Sequence, residues 1–279
     1  MLLKIFTMVK DENDIVGDWI TYHGDRFGYS SLHVVDNMST DGTWELLERY
    51  RVTHGIHTYR ERDYREKGWV MTRLFNHYAG PMDWVFSLDI DEFIFFYEDG
   101  GKKLSHDKHV LHAYLNDLRR SGNRDLYRMN YVQAVLDRPS GYDSIHDIRY
   151  GKYQDFGIMA KVFFQPRHFQ HTLDHGNHQW SRSSLVLVHY HYRNPEQHRK
   201  KVWKHVTGLG HPMTLEHLKP LVADGKVAGI HHIGMAVDML ENRFHIPYQS
   251  QEEINGTLIT IPSFVVASQT AGNLDQTPR

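Results

Sequence analysis

Two aspartates one residue apart, Asp89 and Asp91, close the apolar run Trp84-Val85-Phe86-Ser87-Leu88. Carboxylate oxygens suit hard divalent cations, and a pair at this spacing can hold such an ion against a diphosphate. In an extended chain alternate side chains share a face, so Asp89 and Asp91 are expected to project together, with Ile90 and the supporting Glu92 turned the other way. A chain with 22 aspartates contains about two such pairs by chance, so the pair acquires meaning only from its surroundings.

Histidine is the second unusual feature. The chain has 22, of which 12 fall between His168 and His232. Imidazole titrates near neutral pH and binds metals readily. His168, His171, His175 and His178 follow an H-x2-H-x3-H-x2-H spacing with Asp174 among them, which raises a zinc-dependent hydrolase as an alternative function. Pro166 and the β-rich surroundings do not make a ligand-bearing helix, however, and no H-E-x-x-H occurs.

The elements that must position these groups are legible in the hydrophobic periodicity. Leu2–Val9 reads as a strand ending at Lys10-Asp11-Glu12, and Asp14–Phe27 as a helix. Ser31–Val35 is a strand ending at Asp36-Asn37. A turn at Ser39–Thr43 with Asp41 as N-cap then leads into a helix through Tyr50. Ile56–Tyr59, Lys67–Tyr78 and Asp83–Leu88 complete a βαβαβαβ order, which predicts an α/β fold with a mostly parallel sheet covered by helices on both faces. Ligands of such sheets bind beyond the carboxyl ends of the strands, where Lys10–Glu12, Asp36 and Asp89–Asp91 all fall. That convergence lifts the aspartate pair above chance. Further on, His106–Arg120 is helical, and Leu126–Ala134, Ala160–Gln165 and Leu185–Tyr192 are β-rich. Pro195–Val206, Thr214–Asp224 and His231–Arg243 are helical, and residues 269–279 have the composition of a disordered tail.

Composition narrows the function. A net charge of −2 gives no electrostatic case for nucleic acid, and the absence of cysteine excludes disulfides, thiolate metal sites and a cysteine nucleophile. No stretch of 18 apolar residues suggests a membrane span. The expectation is a cytoplasmic protein in peripheral contact with the inner face of a membrane. The helices after Pro195 are candidates for that contact or for a homodimer interface.

Val9-Lys10-Asp11-Glu12-Asn13, Trp19-Ile20-Thr21-Tyr22-His23 and Val35-Asp36-Asn37-Met38-Ser39-Thr40-Asp41-Gly42-Thr43 together resemble the opening blocks of family 2 glycosyltransferases. Trp84–Ile94 is similar to the W-x-x-x-x-D-x-D-E-F block of family 92-type relatives. Lys161–Pro166, His175, His189-Tyr190-His191-Tyr192-Arg193 and Lys201 resemble that group's K-x-x-x-x-P … H … H-Y-R … K tail, with Gln165 in place of a basic residue.

The resemblance covers residues 2–205 and implies a GT-A catalytic domain over 1–205. Residues 1–98 would form its nucleotide-binding half and 99–205 its acceptor and metal half, with a helical extension over 206–268. It also implies a metal-dependent, inverting glycosyltransferase that moves a sugar from a nucleotide donor, UDP by default, to a carbohydrate hydroxyl. Thr7, Lys10, Glu12 and Asp36 would contact the nucleoside. Asp89 and Asp91 would hold Mn²⁺ or Mg²⁺, with His175 as third ligand and His189 close behind; His171 and His178 are weaker choices. Lys161 and Arg193 would neutralise the diphosphate; Lys201 could join them, although a solvated helix face is the preferred reading for it. Asp155 and Asp174 are the candidates for the base that takes the acceptor proton. The remaining alternative is an inactive nucleotide-sugar-binding protein, which donor turnover would eliminate.

Overall fold

The computed structural model describes residues 3–98, 103–121, 126–155, 161–166, 180–249 and 258–264. Strands β1 (Leu3–Val9), β2 (Leu32–Asp36), β3 (His57–Arg60) and β4 (Trp84–Ser87) alternate with helices α1 (Val16–Phe27), α2 (Thr43–His54) and α3 (Lys67–Tyr78). They pair in the order β3-β2-β1-β4, all parallel, with Ile5 opposite Leu32 and Phe86. β1 and β2 are buried almost throughout, as a sheet covered on both faces requires.

The second half is largely antiparallel. It contains β5 (Glu92–Glu98), β6 (Lys103–Ser105), β7 (Leu126–Val135), β8 (Tyr150–Gln154), β9 (Lys161–Phe164), β10 (Trp180–His189) and β11 (Ile259–Thr260). β9 joins the halves by pairing antiparallel with both β4 and β7, and the order continues β7-β10-β5-β6. β7 and β10 are parallel neighbours; β8 pairs with β7 and β11. The sheet is therefore mixed, and helix α4 (Lys108–Arg120) packs on β5.

The run Trp84–Ile94 is not one strand. The chain leaves β4 at Ser87, turns through Leu88–Asp91 and enters β5 at Glu92, with a Glu92 N–H to Asp89 carbonyl bond of 3.1 Å closing the turn. Asp89 and Asp91 thus sit in a turn that carries the chain from the parallel half to the antiparallel half, not side by side on an extended segment. Aromatic donors anchor its far side. The Trp19 indole N–H donates to the Glu92 carbonyl at 3.0 Å and the Tyr22 hydroxyl to the Ile94 carbonyl at 2.6 Å.

After the sheet, α5 (Pro195–Gly208) starts with Asn194 as N-cap, its side chain accepting the Gln197 N–H at 2.9 Å, and Pro195 in the first turn. Its Val202 and Val206 pack with Leu218 of α6 (Leu215–Asp224) and Ile233, Ala236 and Val237 of α7 (Ile230–Leu240) in a separate apolar cluster. The opposite face of α5 looks onto the sheet. Residues 206–268 are not purely helical, because β11 returns to the sheet. The tail 269–279 lies outside the described residues.

Two imidazoles are buried in the parallel half without charge partners. Burial lowers His23 and His33 from 6.5 to about 3 each. As pH drops below 6.5 the unfolded chain takes up protons that these folded imidazoles refuse, so stability present at neutral pH is lost on acidification. Urea denaturation is expected to show a fall of more than about 2 kcal/mol between about pH 7 and about pH 4.5, and His23→Phe is expected to reduce it. A stability independent of pH over that window would contradict the buried neutral state.

Candidate active site

The parallel strands end on one rim, where a cavity of about 250 Å³ opens. Its floor is Met8 and Val9 of β1 with Lys10 just after it, Asn37 after β2, and the Asp89-Ile90-Asp91 turn after β4. His189 and His191 at the end of β10 form one wall. Lys201, Lys204 and His205 of α5, with His231 and His232 of α7, close the top, and Tyr64 and Lys67 before and at the start of α3 complete the side. The α5 residues recur at helical spacing, so one helix face is devoted to the cavity while Val202 and Val206 hold the other to the apolar cluster.

Four carboxylates are concentrated here, and each is held by cations from other elements. Lys67 Nζ lies 2.6 Å from Asp89 Oδ1 and Lys161 Nζ 2.8 Å from Asp89 Oδ2. Lys161 also reaches Glu92 Oε2 at 2.9 Å. Burial would raise the Asp89 carboxyl, but the two ammonium groups outweigh it and hold it well below the carboxylate range. Glu92 braces the turn. Its Oε2 accepts the Asp89 N–H at 2.8 Å and its Oε1 accepts the Tyr131 hydroxyl at 3.0 Å. Burial dominates at Glu92 and raises its pKa.

Asp91 faces a different set. Its Oδ2 is 2.5 Å from Lys201 Nζ and 3.4 Å from His189 Nε2. Burial opposes its ionisation, yet Lys201 and His189 hold it well below the usual carboxylate range. Asp91, His189 and His191 each offer a ligand atom within 4.8 Å of the others, which makes them a group able to hold a metal ion. One carboxylate and two imidazoles suit Mn²⁺ better than Mg²⁺, which prefers oxygen ligands. Burial, then Lys201 and His189, push the His191 pKa down and keep its ring neutral, the form that ligates metal.

Glu12 forms the third station. Lys204 Nζ is 2.6 Å from Glu12 Oε1, and the same ammonium donates to the Lys10 carbonyl. Arg193 spans Asp14 at 2.6 Å and Glu12 at 3.3 Å. Gly141 locks Arg193 in place from below. It adopts φ +63°, and a Cβ there would lie 2.0 Å from the Arg193 carbonyl oxygen.

The residues expected from the sequence fall into distinct places. Lys10 lines the cavity and donates to the Asn37 and Met38 carbonyls at 2.9 and 3.2 Å. Asp36 is fully buried, but its carboxylate accepts the Ser39 N–H and faces Arg60 at 3.2 Å, so it shapes the loop that presents Asn37. Thr7 is buried within β1 and does not line the cavity. Asp89 lines it as a partner of two lysines and stands apart from the three-residue metal group. Asp155 follows β8 and pairs with Arg128 at 3.0 Å. His168, His171, Asp174, His175 and His178 lie outside the described residues.

The profile of glycosyltransferase family 92 matches residues 7–221. The chain belongs to glycosyltransferase family 92. No curated protein matches it. Among solved structures, S. aureus TarS 1-349 in complex with UDP-GlcNAc aligns at 12% identity with a TM-score of 0.42, over 87% of this chain and 72% of that one. The longer S. aureus TarS aligns at 12% and 0.35, and this chain spans only 28% of its length. A cytidylyltransferase from Leptospira borgpetersenii serovar Hardjo-bovis aligns at 12% and 0.32, over 59% of this chain and 60% of that one.

The sequence places Asn37 at the strand-end rim beside Asp36, but gives no local reason to put Lys67, Lys204, Tyr64, His205 or the α7 histidines in the cavity of this glycosyltransferase. His191 was quoted only inside a block. Lys67 carried one local signal, since a cation in the first turn of a helix opposes the dipole and invites another explanation.

Glu12 tests the station that joins β1 to α5. Glu12→Ala leaves Lys204 and Arg193 with one fewer anion in a buried setting. It is expected to lower unfolding free energy by about 3 kcal/mol in urea titration. A change within about 0.5 kcal/mol would contradict the ion-pair assignment.

Proposed function

We propose that this glycosyltransferase binds a nucleoside-diphosphate sugar in the 250 Å³ cavity, with a divalent ion on Asp91, His189 and His191, and transfers the sugar to a carbohydrate hydroxyl with inversion. The observation that carries the reading is the three-residue metal group placed among the lysines of a strand-end cavity. A divalent ion bound there would act as a Lewis acid on the departing diphosphate.

The protein's own residues supply the rest. Lys67 and Lys10 line the cavity and offer N–H donors to phosphate oxygens, while the Lys204 ammonium is taken up by Glu12 and the Lys10 and Asp11 carbonyls. Lys67 also stands at the amino end of α3, where peptide N–H groups and the helix dipole favour an anion. Asn37 and Tyr64 are placed to meet the nucleoside. Uridine is the first nucleotide to test, from the resemblance to the family 2 opening blocks.

An adjoining groove of about 820 Å³ shares Lys10, Glu12, Lys201 and Lys204 with the cavity and is lined by Trp203, Arg199 and Lys200 of α5. Trp203 is 54% exposed, and an indole face in a polar groove suits stacking on a sugar ring. We assign the acceptor to this groove, which Asp155, paired with Arg128, does not line.

Calorimetry of UDP with and without Mn²⁺ tests the donor site. Affinity is expected to rise at least about tenfold with Mn²⁺, and Asp91→Asn is expected to lose that gain and to reduce transfer by more than about 100-fold while melting cooperatively. Near-normal turnover of the variant would rule the metal site out. Proton NMR of the first-formed product reads the anomeric outcome, for which inversion is expected; retention would contradict the single-displacement reading.

A further inference from the structure

We propose that Lys201 is the resident cation of the Asp91–His189–His191 site, standing where a divalent ion binds and leaving that place when the ion enters with the donor. The inference rests on the donor reading above and adds an exchange that the reading does not require.

The geometry is specific. Lys201 Nζ lies 2.5 Å from Asp91 Oδ2 and 3.1 Å from His191 Nδ1. His189 Nε2 lies 3.4 Å from the same Asp91 oxygen. The ammonium therefore touches two of the three ligand-bearing side chains, through atoms a metal would use. A divalent ion coordinated by this set would lie within about 2.2 Å of that oxygen. The ammonium and such an ion would carry like charges, which repel across so short a distance. The other lysines are placed differently. Lys67 and Lys161 are committed to Asp89, and Lys204 to Glu12, so Lys201 is the lysine in contact with Asp91 among the described residues.

The displaced ammonium has somewhere to go. Lys201 borders both the cavity and the adjoining groove, and its flexible stem reaches from α5 over the rim. A diphosphate arriving in the cavity presents new anionic oxygens on that side. Moving from Asp91 to a phosphate keeps the lysine paired, while the incoming ion keeps Asp91 paired, so neither charge is stranded in a desolvated site. Metal alone must expel the ammonium without offering it a new partner. Metal and diphosphate together do not incur that cost, so their binding is positively coupled, and by linkage each strengthens the other.

Calorimetric titration of Mn²⁺ into the full chain, with and without UDP and with a UDP–Mn²⁺ blank subtracted, tests this on wild type, Lys201→Met and Lys201→Arg. Without nucleotide, Lys201→Met is expected to bind Mn²⁺ at least about tenfold more tightly than wild type, whereas Lys201→Arg stays weak. UDP is expected to strengthen Mn²⁺ binding more in wild type than in Lys201→Met. Mn²⁺ is also expected to raise the melting temperature of Lys201→Met more than that of wild type, a response that a merely structural lysine would not give. Should Lys201→Met fail to fold, Lys201→Gln is read by the same criteria. Equal or weaker Mn²⁺ affinity in the neutral variant, with wild type binding Mn²⁺, overturns the exchange and leaves the donor reading standing. No Mn²⁺ binding by any of these proteins, with or without UDP, overturns both.

Discussion

The structure depends on four carboxylates at one rim of the sheet, three of them buried. Glu12, Asp91 and Glu92 are each less than 10% exposed, and Asp89 is locked between two ammonium groups. A carboxylate withdrawn from water without a counter-charge costs several kcal/mol, so the chain must bring cations to this rim from wherever it can. They come from α3, β9, the segment before α5, and α5 itself. The charges thereby specify the assembly. α5 has to lie across the ends of β1 and β4, because Lys201 and Lys204 belong to Asp91 and Glu12 respectively. The apolar cluster behind α5 supplies non-directional burial energy, and the ion pairs fix where the helix docks.

The same arrangement prepares the site for chemistry. The lysines are held in place by their carboxylate partners before a ligand arrives, and on the proposed reading Lys201 alone changes partner when a diphosphate binds. Asp91, which holds Lys201, also belongs to the group able to hold a metal ion. On the proposed reading, an incoming donor and its metal would exchange partners within this set of charges. The chain belongs to glycosyltransferase family 92, and on the proposed reading the charge set explains how it would carry out the transfer. The Glu92 brace, from the Asp89 N–H to the Tyr131 hydroxyl, keeps the turn from relaxing as partners change.

Much of the parallel half was legible from local pattern. β1, β2, α3 and β4 fall within a residue or two of their periodicity, since alternating strand and helix burial leaves a strong hydrophobic signal. β5 was not resolved as a strand of its own, because Glu92–Glu98 follows the aspartate pair without a glycine or proline to mark the turn. That omission put Asp89 and Asp91 on a common extended face when a turn separates their roles. Asp36 shows the same limit, since a strand-end aspartate can face a ligand or bind its own loop, and only the positions of Ser39 and Arg60 distinguish the two. His191 and Lys67 acquire meaning from what stands across the rim, and sequence periodicity carries no record of that.

Bound Mn²⁺ reports its own ligands, so electron spin echo modulation of the Mn²⁺–UDP complex addresses the central claim most directly. The account predicts nitrogen coupling from two imidazoles, reduced to one in either His189→Gln or His191→Gln. A manganese signal with oxygen ligands alone, unchanged in both variants, would contradict it.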